Sequence, residues 1–148
     1  MDENGAIVVG VDGSEQAGAA LRWAVDQARH TGQPLKAVTA WHVPTMMYTG
    51  AFETATDLDP RELEQAAGMT LERAIGGLGE VAAGLEIETC VREGPAADVL
   101  VAESRGAALL VVGSRGLGGF RELLLGSVSH RCSQHAACPV LIIRPSTG

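Results

Sequence analysis

Residues 7–14, Ile7-Val8-Val9-Gly10-Val11-Asp12-Gly13-Ser14, pass from unbroken apolar chain to a polar, glycine-containing break and then to a helix signal. A continuous apolar run bounded by turn residues is what a strand covered on both faces requires, because a half-solvated strand would alternate. Ser14 can cap a helix, since its hydroxyl can accept from a first-turn amide. Ala17, Ala20, Leu21, Ala24, Val25 and Ala28 then recur at the spacing of one helix face, and Gly32 ends it as a left-handed residue.

The same alternation continues outward. Leu35 to Trp41 reads as a second strand, and Pro44 through Thr56, with no clean period, as loop. In Asp59-Pro60-Arg61-Glu62, Asp59 accepts from orphan amides, Pro60 needs no donor in the first turn, and Glu62 closes a capping box. Leu63, Ala67, Leu71, Ala74 and Leu78 continue that helix until Gly76-Gly77 weakens it. Leu85, Ile87, Thr89 and Val91 alternate with Glu86, Glu88, Cys90 and Arg92, which marks a strand with one solvated face at a sheet edge. Gly94-Pro95 opens a short helix through Val99, Leu100 and Ala102, stopped at Gly106. Ala108 to Val112 is a second unbroken apolar strand, Ser127 begins a last helix, and Pro139 to Ile143 is the final strand.

Strands alternating with helices predict an α/β fold: a parallel sheet with right-handed crossovers. The runs 7–11 and 108–112 should be central and adjacent. Their C-terminal ends, where Asp12 and Gly113 sit, then form the crevice in which an open α/β sheet takes its ligand.

Bulk properties narrow the function. The 148 residues suit one domain, 1–148, with one core. A net charge of −7, scattered arginines and a single lysine, Lys36, exclude nucleic acid as principal partner, which would need clustered cations. No apolar run reaches the roughly 20 residues of a membrane span, and Met1-Asp2-Glu3-Asn4 lacks the basic start of a signal peptide, so a cytoplasmic protein is expected. Cys90, Cys132 and Cys138 form no CxxC pair and are odd in number, so buried reduced thiols are expected rather than a disulfide or zinc scaffold.

The chemistry-bearing stretch is Val112-Gly113-Ser114-Arg115-Gly116, followed nine residues later by Gly126-Ser127-Val128-Ser129. Glycines let backbone amides approach phosphate oxygens, and a helix starting near Ser127 aims its positive end at the same place. Ser127 and Ser129 add hydroxyl donors, Arg115 adds charge, and a Cβ at Gly113 or Gly126 is expected to fill phosphate space.

The spacing Gly113-x2-Gly116-x9-Gly126-Ser127 resembles the nucleotide-binding pattern of the universal stress protein family. The opening Ile7–Ser14 and the ending Cys138-Pro139-Val140-Leu141-Ile142-Ile143 are similar to that family's first and last strands. The resemblance, from about Ala6 to Arg144, implies a single doubly wound five-stranded parallel sheet of order 3-2-1-4-5 with helices on both faces, adenine-nucleotide alpha-hydrolase-like. It implies ATP, with Mg in attendance, as cofactor, bound by Gly10, Asp12, Ala40, Val112, Gly113, Ser114, Arg115, Gly116, Gly126, Ser127, Val128 and Ser129. Within that set it sets Asp12 near ribose or adenine and Ala40 near the base. It also implies a homodimer through the strand Pro139–Ile143, whose unprotected apolar edge argues the same way.

An enzymatic reading finds little support. No Walker A motif, GxSxG elbow or HExxH pair is present, and Lys36, placed at a strand edge, serves no phosphate loop. His30, His42, His130 and His135 read as surface residues. The expected function is therefore a nucleotide-dependent regulatory protein. Slow ATP hydrolysis, a receptor for another adenine ligand such as cyclic AMP, and a purely protein-binding member stand as alternatives.

Overall fold

The computed structural model describes residues 5–43, 59–116 and 125–145. The expected loop over 44–56 and the tract 117–124 lie outside the described residues. Strand β1 (Ile7–Gly10) leads into helix α1 (Glu15–Thr31), β2 (Leu35–Trp41), α2 (Pro60–Gly76) and a 3-10 turn (Gly79–Ala82). Then follow β3 (Ile87–Glu93), α3 (Ala96–Glu103), β4 (Leu109–Gly113), α4 (Ser127–His135) and β5 (Val140–Ile143). All pairings are parallel, in the order β3-β2-β1-β4-β5. The two unbroken apolar runs are neighbours, with Ile7 opposite Leu109 and Val9 opposite Val111.

Each expected residue of the α1 stripe is buried. That stripe packs on one sheet face with Ile7, Val9, Leu35, Ala37 and Val111, and Leu71 and Leu78 extend the same layer. On the other face Val8, Val38, Leu110 and Val112 meet Val99 and Leu100 of α3 and Cys132 of α4. Burying a side chain such as Leu21 or Val25 contributes about 1.5–3 kcal/mol. Ser14 caps α1 by accepting from Ala17 N at 3.1 Å, and Gly32 ends it at φ 73°.

Several boundaries differ from expectation. β3 begins at Ile87, not Leu85, because β2 offers no partner before Leu35; it runs on to Glu93, opposite Trp41. Asp59 caps α2 by accepting from Arg61 N at 2.9 Å, and among the described residues Glu62 makes no reciprocal capping-box bond. Lys36 lies one residue inside the start of β2, a strand with β1 and β3 on either side. Its ammonium reaches Glu103 at 2.6 Å, and Arg92 reaches the other carboxylate oxygen at 3.2 Å. Cys90 and Cys132 are buried free thiols, as expected, but Cys138 is only half-buried. The four histidines are exposed. No helix among the described residues is long and apolar enough to cross a membrane.

Candidate functional site

At the C-terminal ends of β1 and β4 the chain leaves the sheet in two directions, β1 into the turn before α1 and β4 toward α4. The gap between them is a cleft of about 390 Å³, within the usual size of a small-molecule site. Gly10, Asp12, Ala40, Val112, Gly113, Arg115, Gly116, Gly126, Ser127, Val128 and Ser129 line it. Ser114 does not. Its side chain is fully buried and its hydroxyl donates to Gln16 Oε1 at 2.7 Å.

The turn on the β1 side is fixed by its own polar groups. Asp12 Oδ1 accepts from Ser14 N at 2.8 Å, which locks the carboxylate to the start of α1. Gly13 takes φ 88°, a conformation that favours glycine. A buried hydrogen bond of 2.9 Å from Thr39 Oγ1 to Val11 O ties this turn to β2.

On the β4 side, three amides of the glycine motif are engaged within the protein. Ser114 N donates to Ile143 O and Arg115 N to Gln16 Oε1, each at 2.8 Å, and Gly126 N donates to Ser114 O. The Ser129 hydroxyl is engaged as well: buried, it faces Ser114 O at 2.7 Å and Gly126 O at 3.1 Å, and its single proton is used within the protein. The glycines also serve close packing. A Cβ on Gly113 would lie 2.9 Å from Gln16 Cβ and 3.0 Å from its backbone carbon. One on Gly126 would face Arg115 Cα at 3.3 Å, and one on Gly116 would fall 2.5 Å from Asp12 Oδ2.

Backbone donors that face the cleft come from the start of α4. Gly126 supplies no side-chain cap, so among the described residues the first-turn amides of Ser127, Val128 and Ser129 have no acceptor. An uncapped helix start of this kind attracts anions through its amides and dipole. Asp12 and Arg115 are the charged side chains among the described lining residues. The opposite wall is apolar, and here motif reasoning missed Val38, Ala96 and Leu100. Val38 shares a strand face with Ala40, and Ala96 and Leu100 lie one helical turn apart, but such apolar residues read as core in a sequence. An apolar wall beside an anion-attracting helix start suits a ligand with an apolar ring at one end and phosphate at the other.

The Universal stress protein family model matches residues 3–144. Universal stress protein YxiE of Bacillus subtilis is 36% identical over 146 residues, covering 93% of this chain and 97% of that protein. The chain spans 47% of the length of the Mycobacterium tuberculosis universal stress proteins it also matches. Among solved structures, a universal stress protein in complex with cAMP is 27% identical with a TM-score of 0.68, covering 96% of this chain and 98% of that one. An Arabidopsis thaliana family protein with AMP bound shares the fold at 22% identity and a TM-score of 0.63, covering 97% and 93%. With sheet order, cleft and family match in agreement, this chain belongs to the universal stress protein family.

Proposed function

We propose that this chain binds ATP in the β1–β4 cleft and works as a nucleotide-dependent regulatory protein. The observation that carries this reading is the pairing of the uncapped α4 amides with the apolar wall of Val38, Ala40 and Leu100 in one cleft of about 390 Å³. In that arrangement the α4 start takes the phosphates, with the Ser127 hydroxyl beside them, and the apolar wall takes the base. Mg²⁺ bound through one carboxylate and nucleotide phosphates fits the donor set, with Asp12 as the carboxylate. Among the described residues no cluster of three His, Cys, Asp or Glu could hold a resident metal.

Ligand at a hundred times its dissociation constant stabilises the folded state by about 2.7 kcal/mol. At about 2–4 °C per kcal/mol, the melting temperature of ligand-free protein should rise by about 5–11 °C with ATP. An unchanged melting curve at saturating ATP would sink this reading. A second reading, a cyclic AMP receptor, draws on the cAMP-bound relative; calorimetric titration of both nucleotides separates the two by relative affinity. The proposal extends to one domain over residues 1–148, a cytoplasmic setting, and a homodimer through β5, which stands at the sheet edge with apolar side chains on both faces.

A further inference from the structure

Gln16 belongs to no motif, lies in the first turn of α1, and joins the two halves of the cleft. Its side-chain carbonyl accepts from Ser114 Oγ at 2.7 Å and from Arg115 N at 2.8 Å, across 98 and 99 residues of sequence. Two donors fill both lone pairs of that oxygen. Ser114 is held at its other polar atoms by the β4–α4 half of the molecule: its amide donates to Ile143 O, and its carbonyl accepts from Gly126 N and Ser129 Oγ. The bond to Gln16 is thus the tie from Ser114 to the β1–α1 half, where Ser14 N holds Asp12 four residues before Gln16. The two walls also touch there, since a Cβ on Gly113 would meet Gln16 Cβ at 2.9 Å.

We propose that Gln16 is a positioning residue for phosphate recognition: its amide oxygen fixes the Ser114–Arg115 turn, and with it the spacing between Asp12 and the α4 amides. This role rests on the nucleotide-binding reading above. Leucine at position 16 matches the length but accepts neither bond, leaving the buried Ser114 hydroxyl and the Arg115 amide without their acceptor. Glutamate keeps an acceptor in place.

The test is calorimetric titration of the full chain with ATP, AMP and adenosine, together with hydrogen exchange at the Arg115 amide. Gln16→Leu should weaken ATP and AMP by about tenfold or more, the scale of two lost hydrogen bonds, while adenosine stays within about twofold. Arg115 N–H should exchange slowly in wild type and Gln16→Glu and rapidly in Gln16→Leu. A Gln16→Leu protein that melts lower but keeps the wild-type ratio of ATP to adenosine affinity would show a purely structural residue and overturn the proposal. So would continued protection of Arg115 N–H in that variant. Should Gln16→Leu fail to fold, Ser114→Ala removes one of the two bonds and should produce a smaller loss confined to the phosphate-bearing ligands; an unchanged ratio there also overturns the role. Wild-type protein that binds none of the three ligands overturns the nucleotide reading and this role with it, whereas normal wild-type binding with an unchanged ratio overturns the role alone.

Discussion

Replacing Gly113 by alanine sets a methyl group against the backbone of α1. The added Cβ would lie 2.9 Å from Gln16 Cβ, 3.0 Å from Gln16 C and 3.2 Å from Ala17 N. Two of these are backbone atoms of a helix whose buried face is seated on the sheet, so relief requires α1 and β4 to move apart. Overpacking of this kind costs about 1–3 kcal/mol. At about 2–4 °C per kcal/mol, Gly113→Ala should melt about 2–12 °C lower than wild type. Gly68 provides the internal contrast. It lies within α2, and a Cβ there meets nothing within 4 Å. Gly68→Ala should therefore stabilise by about 0.4–1 kcal/mol, through helix propensity and reduced freedom of the unfolded chain. Differential scanning calorimetry of ligand-free protein reads both variants. If Gly113→Ala melts with wild type, or the two variants shift in the same direction, the close approach of β4 to α1 is not what requires glycine at 113.

Ile142→Glu puts a charge in the middle of β5 and should yield monomers by light scattering that still bind nucleotide; dimers that persist would relocate the interface. Glu103 is pushed upward by burial, but its hydrogen bonds and ion pairs with Lys36 and Arg92 outweigh this and hold its carboxyl below the ordinary 4.5. Its stabilisation is therefore complete above that value and lost as pH falls through the lowered folded value. Glu103→Gln should be less stable than wild type near neutrality and converge on it in acid, and parallel urea-denaturation midpoints across that range would refute the coupling. Burial pushes the Cys132 thiol up to about 11 and raises Cys138 more modestly. Maleimide at mildly alkaline pH should label half-buried Cys138 first and reach Cys132 only on unfolding, as peptide mapping would reveal.

Both the sheet and its crevice could be read from the chain because each depends on local pattern. Two unbroken apolar runs, 7–11 and 108–112, had to be covered on both faces, and their adjacency brings the turns that follow them, with Asp12 after one and Gly113 at the end of the other, to the same end of the sheet. Side-chain direction was less legible. Ser114 and Ser129 stand in the glycine motif and look like ligand donors, yet both hydroxyls turn inward to groups that only the tertiary fold supplies. Gln16 carries no local mark, since a glutamine in the first turn of a helix is ordinary until Ser114 and Arg115 arrive from the far side of the sequence. Ala96 and Leu100 were hidden for another reason: an apolar side chain lining a cleft obeys the same periodicity as one inside the core.

The Lys36–Glu103–Arg92 trio has a consequence for the surface chemistry of the molecule. Lys36 is the sole lysine of the 148 residues, and its side chain is four-fifths covered, with its ammonium 2.6 Å from a carboxylate. Every other fixed side-chain cation is an arginine, whose guanidinium stays protonated and does not acylate under conditions that modify amines. Lysine-directed chemistry, whether enzymatic acetylation, an amine-reactive dye or a bis-succinimidyl cross-linker, therefore meets a surface that presents no open ε-amine. Post-translational acyl signalling at lysine would have to break the trio before it could begin.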